Sequence, residues 1–472
     1  METVDRKGIE RLVALMAIAT SVFAIVGPGA GREREAVAQT DPSGPDLVLI
    51  VLDDGRRELL RYMPNVRRHL IRKGIEFTNG YVVNPVCCPS RASILTGLYS
   101  HSTGVYTNRR PDGGFDAFRD GSTIATLLHA AGYRTALIGK YLNQYGPDAY
   151  VPPGWDRWFA TFRNGGYFDY AAVSDGEAMH FGEDRGDYGT RVLASEAVSF
   201  IRETAASDPL FLYLTPHAPH EPATPERRDR DSFAGLPAWR PPSYDERDLS
   251  DKPAHMQDQP TLDARQRAEI DAFRIRQIQA LQSVDRMVGR VVRALRETGR
   301  LDDTLLVFTS DNGMLWGEHR LFGKSEIYEE AVGVPFVVRY DPMIEEARSD
   351  EHLVLNIDFA PTLAALAGVE PEEVEGRSLL PLLRGSGERW RHAFLIEHMG
   401  KHERSTPTFC AIHTARYVLV RFATGEEELY DLVRDPSQMT NRVGRRGFHS
   451  IGRDLRSDLR GLCDPEPPGF SF

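Results

Sequence analysis

Continuous apolar runs recur along this chain and predict strands that are buried on both faces. The clearest run is residues 47–52, six aliphatic positions that follow a link containing glycine and proline. Runs of this length and branching suit a strand that other elements cover on both sides. Similar patterns predict further strands at residues 75–77, 133–138, 209–214, 304–309 and 334–340.

Apolar residues spaced by three and four positions predict helices between these strands. The longest spans residues 264–298, where Ile278, Leu281 and Val284 belong to one stripe that faces a core. Shorter helices are predicted at residues 64–73, 90–95, 122–131 and 187–206, and another runs from Asn356 to Gly368. Strands and helices therefore alternate through most of the chain.

The pattern changes near Gly385. Short strands are predicted after it, at residues 393–397, 409–413 and 417–422. We therefore expect two structural parts, residues 46–385 and residues 386–472. Between the first part's strands, residues 221–260 are rich in proline, arginine and aspartate and show no clear periodicity. Irregular stretches of this length are often functional.

The N-terminus has the pattern of a secretory signal. Basic residues precede the apolar run 12–26, and Ala36-Val37-Ala38 offers a cleavage site. The run is shorter than the roughly 20 residues needed to cross a bilayer. Residues 1–38 are therefore predicted to be a signal peptide, with an uncleaved anchor as the alternative. The protein is expected to be secreted or periplasmic, without a stable membrane span.

The composition, 41% hydrophobic and 26% charged over 472 residues, is that of a globular protein with a large core. A net charge of −11 gives no general basic surface and argues against a nucleic-acid partner. An anionic ligand stays compatible with this charge, because a local basic pocket can form on an acidic protein. Of the four cysteines, Cys410 and Cys463 either form a disulfide or remain free thiols.

Two predicted strands end in pairs of oxygen-bearing side chains. Asp53 and Asp54 follow the run 47–52, and Asp311 and Asn312 follow the strand at 304–309. Adjacent carboxylates at the end of a buried strand are costly unless a positive group meets them. The carboxyl edge of an α/β sheet is also where sites form. These oxygens suit a divalent cation such as Ca²⁺ or Mg²⁺, and a solvated turn after residue 52 is the alternative.

The sequence Cys87-Cys88-Pro89-Ser90-Arg91 resembles the C-x-P-S-R motif of the type I sulfatases. That resemblance implies that a formylglycine-generating enzyme oxidises Cys87 to formylglycine and that Cys88 is the variable position. A hydrated aldehyde carries two hydroxyls, so that one can attack sulfur and the other can then expel sulfate. Two core cysteines ahead of a helix are the alternative interpretation of this motif alone.

Other stretches resemble the same family. Residues 132–140 resemble its second signature, in which Lys140 matches a lysine that contacts sulfate. Many members carry a histidine two positions later, where this chain has Leu142, so the role of that histidine is open. Residues 139–146 instead resemble the N-acetylglucosamine-6-sulfatase branch. His217 matches a histidine that contacts sulfate or its bridging oxygen, whereas His220 is interpreted as a turn residue held by prolines.

The stretch 317–330 resembles the family sequence G-E-H…G-K-x-x-x-Y-E. In it Lys324 matches a lysine that binds sulfate and assists the leaving oxygen, and His319 is predicted to be a further substrate contact. We interpret residues 221–260 as a loop on the substrate side. Residues 428–436 resemble the C-terminal sequence L-Y-D-L-x-x-D-P, which implies a small antiparallel sheet packed on the main domain.

The resemblance covers about residues 46–441 and implies the alkaline-phosphatase-like sulfatase fold. This α/β fold has a large mixed, mainly parallel sheet sandwiched by helices, with a small C-terminal antiparallel sheet. The implied activity is hydrolysis of sulfate esters on carbohydrate, including N-acetylglucosamine 6-sulfate units, or of small sulfate esters. The implied cation is Ca²⁺, with Mg²⁺ as the alternative, and its ligands are Asp53, Asp54, Asp311, Asn312 and the modified Cys87. The implied catalytic residues are Cys87, Arg91, Lys140, His217 and Lys324, and the substrate contacts are Lys140, His217, His319 and Lys324.

Two rival functions remain open. The first is an arylsulfatase, or a phosphodiester or phosphonate monoester hydrolase of the same superfamily, because some such enzymes share the formylglycine motif. The second is an exported protein that binds sulfated glycans and has lost turnover. The intact Cys87, Arg91, Lys140 and Lys324 argue against this second function.

Overall fold

The structure is a computed structural model that describes residues 44–162, 166–386, 389–400 and 406–472. The predicted signal peptide, residues 1–38, lies outside the described residues. The described strands are β1 (Asp46–Leu52), β2 (Ile75–Phe77), β3 (Gly80–Tyr81), β4 (Arg134–Lys140), β5 (Arg157–Phe162), β6 (Tyr170–Ser174), β7 (Glu177–Phe181), β8 (Leu210–Thr215), β9 (Thr304–Ser310), β10 (Leu315–Trp316), β11 (Phe322–Gly323), β12 (Phe336–Arg339), β13 (Arg348–Asp350), β14 (Val354–Leu355), β15 (Ala393–His398), β16 (Phe409–Thr414), β17 (Tyr417–Phe422) and β18 (Glu427–Asp431).

The described α-helices are α1 (Pro64–His69), α2 (Cys87–Thr96), α3 (Ser100–Thr103), α4 (Ile124–Ala130), α5 (Gly189–Glu203), α6 (Ala254–Gln257), α7 (Ala264–Glu297), α8 (Glu329–Val332), α9 (Phe359–Leu366), α10 (Leu380–Leu383) and α11 (His449–Leu462). Helix α7 has a clear start signal, because the Asp263 side chain accepts a hydrogen bond from the Gln266 backbone N–H at 2.8 Å. Within the described part of the chain, no helix is long and apolar enough to cross a membrane.

The main sheet has ten strands in the order β13-β2-β12-β9-β1-β8-β4-β5-β6-β7. Strands β9, β1, β8, β4 and β5 are parallel neighbours at its centre. Strand β12 pairs antiparallel with β9 and β2, and β6 and β7 add an antiparallel edge. In the central register, Leu49 lies between Tyr213 and Val307. The mixed, mainly parallel sheet expected from the sequence is confirmed.

Alternate residues of β1 enter two hydrophobic cores, one on each face of the sheet. Val48 and Ile50 join a core with residues of α5 and α7. Leu47 and Leu49 join a second core with residues of α2, α4 and α9. Burying one such aliphatic side chain contributes about 1.5–3 kcal/mol, so every position of this strand favours the same sandwiched arrangement.

A close approach between β4 and β8 fixes the end of β4. Gly139 has φ +124°, and a Cβ there would lie 2.1 Å from the carbonyl oxygen of Thr215 on β8. Any side chain at this position would therefore push the two strands apart. Because Lys140 follows directly at the end of β4, its position depends on this glycine.

A four-stranded antiparallel sheet, β15-β16-β17-β18, forms the C-terminal part of the described structure. The expected small antiparallel sheet is thus confirmed, and a disulfide joins Cys410 on β16 to Cys463 after α11. Helix α3 contacts this part through His101, whose Nδ1 lies 3.2 Å from Glu397 on β15 and whose Nε2 lies 3.3 Å from Glu375. The division of the chain at residue 385 stays a prediction.

Several elements differ from the sequence predictions. Strands β5, β6 and β7 and helix α11 were not predicted, because aromatic and polar residues there obscure the period. Helix α2 begins at Cys87 rather than at Ser90, so the predicted nucleophile lies in its first turn. The predicted helix at 64–73 is divided into α1 and a short 3₁₀ turn, Ile71–Lys73.

Candidate active site

The predicted site residues converge at the carboxyl edge of the central parallel strands. Asp53 and Asp54 follow β1, Lys140 ends β4, His217 lies two residues after β8, and Asp311 follows β9. Parallel strands bring these ends to one edge of the sheet. Helix α2 begins there as well, so its partial positive N-terminal charge lies at Cys87, beside Asp53.

Asp53 contacts four side chains of the site. Its Oδ2 lies 2.7 Å from Lys140 Nζ and 3.0 Å from His217 Nδ1. Its Oδ1 lies 3.5 Å from Cys87 Sγ and 4.0 Å from an Arg91 nitrogen. Asp53 is fully buried, so these basic partners offset the cost of removing its charge from water.

Asp54 joins the other side of the same cluster. It lies in the left-handed region with φ +64°, a conformation that aspartate tolerates better than most residues. Its Oδ1 accepts hydrogen bonds from the Lys324 ammonium and, at 2.7 Å, from Asn312 Nδ2. Lys324 Nζ lies 2.6 Å from Cys87 Sγ, and Cys87 Sγ lies 3.9 Å from Asp54 Oδ1. One lysine thus contacts both a carboxylate and the predicted nucleophile position.

Arg91 and Asp311 form a buried pair behind this cluster. Arg91 Nε donates to Asp311 Oδ2 at 2.7 Å, and Arg91 Nη1 donates to the Lys140 carbonyl at 2.9 Å. Asp311 Oδ1 accepts the Asp54 backbone N–H at 3.1 Å. Both side chains are inaccessible to solvent, so the pair holds the ends of β1, β4 and β9 in a fixed relation.

The basic side chains of the site lower the pKa values of its two adjacent carboxyl groups, Asp53 and Asp54. Burial alone would raise the pKa of Asp53, but Lys140, His220, His217 and Arg91 together hold that pKa well below its usual value. Burial likewise opposes ionisation of Asp54, and Lys324 and His220 overcome it, so the pKa of Asp54 is also lowered.

The pKa values of Asp311, His217 and His220 shift in different directions. Burial raises the pKa of Asp311 despite Arg91. Burial lowers the pKa of His217, which its hydrogen bond to Asp53 only partly offsets. Burial would lower the pKa of His220 too, but Asp54 and Asp53 raise it to about 10. Two histidines of one loop therefore have opposite protonation preferences at neutral pH.

The residues present fit a divalent cation with oxygen ligands. Asp53, Asp54, Cys87 and His220 offer ligand atoms that all lie within 4.8 Å of one another. The Asn312 Oδ1 atom is buried and has no hydrogen-bond partner among the described residues. Carboxylate and amide oxygens are the ligands that Ca²⁺ and Mg²⁺ prefer, so an oxygen-binding cation would satisfy this orphaned atom.

The cluster opens into a cavity of about 900 Å³. Lys140, His217 and His220 line its inner end, and Asn143, Tyr167, Arg227 and Arg230 are among its other lining residues. This volume is in the range of pockets that hold small organic ligands. Part of the predicted substrate-side loop, residues 221–230, contributes to the wall of this cavity.

The later part of that loop contacts His319 through Glu246. His319, predicted to be a substrate contact, is fully buried, with Nδ1 2.5 Å from Glu246 of the loop and its ring stacked on Tyr328 at 3.9 Å. Among the described residues, no hydrogen bond or ion pair joins His319 to Cys87 or to the acidic cluster. The substrate role of His319 therefore stays a prediction, and its observed contacts are those of a supporting residue.

His220 is the residue that sequence reasoning undervalued. Its Nε2 lies 3.5 Å from Asp54 Oδ2, so it belongs to the cluster rather than only to a turn. Its ring also packs against His217 at 4.7 Å between centroids. The available signal was the spacing of His217 and His220 on either side of Ala218-Pro219 after a buried strand.

The fold and this site define a class of protein. Residues 45–369 match the family described as "Sulfatase", and residues 317–464 match the C-terminal domain described as "N-sulphoglucosamine sulphohydrolase, C-terminal". The chain therefore belongs to the sulfatase family, as the motif around Cys87 predicted.

Its relatives make the resemblance more specific. The chain is similar to human N-acetylglucosamine-6-sulfatase, with 32% identity over 415 residues that cover 84% of this chain and 73% of that protein. It is 36% identical over 375 residues to the extracellular sulfatase SULF-1 homolog of Drosophila melanogaster, and 35% identical over 371 residues to a putative extracellular sulfatase of Caenorhabditis elegans. These matches cover 76% and 75% of this chain but only 33% and 52% of those relatives.

A solved structure has a similar fold. It is described as a complex with its substrate D-glucosamine-2-N,6-O-disulfate, and it matches with a TM-score of 0.79 and 25% identity over 90% of this chain and 99% of that one. The phosphonate monoester hydrolase of Agrobacterium radiobacter shares the fold with a TM-score of 0.71 at 21% identity, over 89% of this chain and 95% of that one.

Proposed function

We propose that the chain is a sulfuric ester hydrolase. The observation that carries this proposal is the position of Cys87, at the first turn of α2 between Lys324 Nζ at 2.6 Å and Asp53 Oδ1 at 3.5 Å. Lysine and arginine side chains beside it match an anionic ester, and the adjoining cavity has room for a small organic group. Membership of the sulfatase family supports the same reaction.

The proposal includes conversion of Cys87 to formylglycine by a formylglycine-generating enzyme. The converted side chain would supply a hydrated aldehyde, a nucleophile that can be released again without a second reagent. In the structure the thiol of Cys87 stands where that group would be. Lys324 and the start of α2 favour negative charge at this position, which supports a nucleophile there.

We further propose that Asp53, Asp54, Asp311, Asn312 and the converted Cys87 hold Ca²⁺, or alternatively Mg²⁺. When bound, the cation would supply Lewis acidity and lower the pKa of a hydroxyl ligand. Without the cation, the three acidic and three basic side chains of the cluster balance each other in charge. Asp53, Asp54 and Asp311 face Arg91, Lys140 and Lys324, so a divalent cation would leave the cluster positive and suited to an anionic ester.

Each basic side chain has a distinct part in this proposal. Lys140 and Lys324 flank the Cys87 position and would hold the sulfate oxygens by charge-assisted hydrogen bonds. Arg91, anchored by Asp311, would keep the carboxylate ends in register. His217 and His220 line the cavity beside the cluster and are placed to move the protons that nucleophile and leaving alcohol exchange. These preorganised donors act in a partly dry pocket, where each is worth more than in water.

The proposed substrate is a sulfated carbohydrate, such as a unit with a glucosamine 6-sulfate ester. The support is the likeness to N-acetylglucosamine-6-sulfatases and to the structure solved with a glucosamine disulfate. We also propose that the protein is secreted or periplasmic, because two relatives are described as extracellular sulfatases.

The test compares wild type with Cys87→Ala on an aryl sulfate and on a 6-sulfated glucosamine. Both proteins should have the same circular dichroism spectrum, and only wild type should release sulfate. Cys88→Ala is the matched control, because Cys88 is equally buried, whereas the Lys324 ammonium contacts the Sγ of Cys87. Sulfate release by Cys87→Ala at the wild-type rate would refute the proposal.

A phosphonate monoester or phosphodiester hydrolase is the second candidate, and its support is the fold shared with a phosphonate monoester hydrolase. The same assay distinguishes the two functions when aryl phosphonate and aryl phosphodiester substrates are added. A larger kcat/KM on either of these esters than on every sulfate ester would favour the second candidate.

A further inference from the structure

A second basic cavity lies between α5 and α7. We call it the arginine groove and define it by Arg191, Arg228, Arg286, Arg290 and Arg293. Its volume is about 550 Å³, and Glu226 is the carboxylate among its lining residues. None of these residues takes part in the proposed active site.

The carboxylates at the groove are fewer than the guanidinium groups. Glu226 alone forms ion pairs with Arg191, Arg228 and Arg286. Asp229 adds one more partner for Arg286. Two carboxylates shared by three guanidinium groups leave positive charge that these internal pairs do not neutralise.

Arg290 and Arg293 are the two arginines of the groove that form no ion pair among the described residues. Arg290 donates to the Ser195 hydroxyl at 3.1 Å and to the Arg191 carbonyl, and the described residues provide no carboxylate partner for it. Burial and the like charges of Arg191 and Arg202 lower the pKa of Arg290, which is consistent with a positive potential in the groove. Arg293 is exposed at the groove's margin, also without an ion pair among the described residues.

The groove and the active-site cavity share one short segment of chain. Arg227 and Arg230 line the active-site cavity, as Lys140 does, whereas Glu226 and Arg228 line the groove. Residues 226–230 therefore form part of the wall of both. Cationic side chains on both sides of one wall suit a ligand with several anionic groups along its length.

We propose that the arginine groove binds sulfate groups of a sulfated polysaccharide, on sugar units beyond the one whose ester reaches Cys87. Guanidinium groups are planar and can donate two parallel hydrogen bonds to one oxyanion, which fits sulfate. The whole chain has a net charge of −11 and therefore repels polyanions overall, so the groove is a local exception. The proposal rests on the proposed function for the sulfated nature of the chain, but binding can be measured without turnover.

The experiment titrates a heparin-type sulfated oligosaccharide of defined length into the Cys87→Ala protein by isothermal calorimetry, at low and at physiological salt. The test variant adds Arg290→Gln and Arg293→Gln. The control adds Arg265→Gln and Arg296→Gln, which remove the same charge from α7 outside the groove. We expect the test variant to bind on the order of tenfold more weakly, with a smaller salt dependence, because two charge contacts with the oligosaccharide are lost. The control should bind like its parent.

Three results would overturn the proposal. Unchanged affinity in the test variant would show that the groove does not bind the oligosaccharide. An equal loss in test and control would show that only net charge matters. Equally tight, equally arginine-dependent binding of a single-stranded DNA of the same length would show that the groove selects no sulfated glycan.

Turnover separates this proposal from the proposed function. With Cys87 intact and matured, the groove variant should hydrolyse a small aryl sulfate like wild type but show a raised KM for the polysaccharide. A KM for the polysaccharide equal to that of wild type would count against the groove. If wild type hydrolyses no sulfate ester, the proposed function fails. The calorimetric comparison still shows whether the arginine groove binds the sulfated oligosaccharide.

Discussion

Replacement of Lys324 by methionine removes one charge from the centre of the site and keeps most of the side-chain stem. Lys324 follows β11, its side chain is 17% exposed, and its ammonium contacts both Asp54 and the Sγ of Cys87. The variant therefore loses the donor that would meet both the nucleophile and a sulfate oxygen. It leaves the backbone and the neighbouring acidic residues unchanged.

The expected loss of kcat in Lys324→Met is larger than the expected loss of stability. Removing one donor aimed at developing negative charge costs about 10²–10³ in kcat, which is roughly 2.7–4 kcal/mol. Stability should change less than breaking an isolated buried pair, which costs about 3–5 kcal/mol. The reason is that Asp54 keeps Asn312 Nδ2 at 2.7 Å and His220 Nε2 at 3.5 Å.

The assay measures initial rates on an aryl sulfate, normalised to the fraction of converted Cys87 found by peptide mass spectrometry. This normalisation separates a chemical defect from a failure of maturation. Lys73→Met serves as control, because Lys73 is exposed in a turn before β2 and has no part in the proposed site. A kcat for Lys324→Met equal to that of Lys73→Met would refute the assignment of Lys324 to the site.

Three further predictions concern the supporting structure. His319→Ala should lower the free energy of unfolding by about 1–3 kcal/mol in urea, because buried Glu246 loses its hydrogen bond to His319, and an unchanged urea midpoint would contradict this. Burial would lower the pKa of His101, but its two glutamate partners raise it to about 10, above its unfolded value of about 6.5. The stability that His101→Gln loses should therefore be greatest below about pH 6.5 and should shrink as the pH rises towards 10, and a loss independent of pH would exclude this cause. Replacing both Cys410 and Cys463 by alanine should cost about 2–4 kcal/mol, because the bridge closes a long loop, and equal stability of reduced and oxidised protein would contradict it.

Much of the fold could be predicted because burial on two faces leaves a strong signal. Strand β1 is aliphatic at six consecutive positions, and the structure buries all seven of its residues. The stripe on α7 is similarly clear, and its start at Ala264 was predicted correctly. Strand β7 gave no such signal, because four of its five residues are exposed.

The site could be predicted where a strand end determined the side-chain position. Asp53 and Asp311 lie where the ends of two neighbouring buried strands must meet, and the structure brings them within one cluster. The side-chain contacts of His319 could not be predicted, because this residue lies in a loop whose course depends on distant contacts. For His319 the decisive contact is Glu246, 73 residues earlier in the chain.

The central claim is that Cys87 is converted and then acts as the nucleophile. The most direct measurement is mass spectrometry of the peptide that contains Cys87 and Cys88, from protein made in a host shown to mature a known sulfatase. We predict the mass of an aldehyde or its hydrate at Cys87 and an unmodified thiol at Cys88. Unmodified thiols at both positions, with the control sulfatase converted in the same cells, would contradict the account.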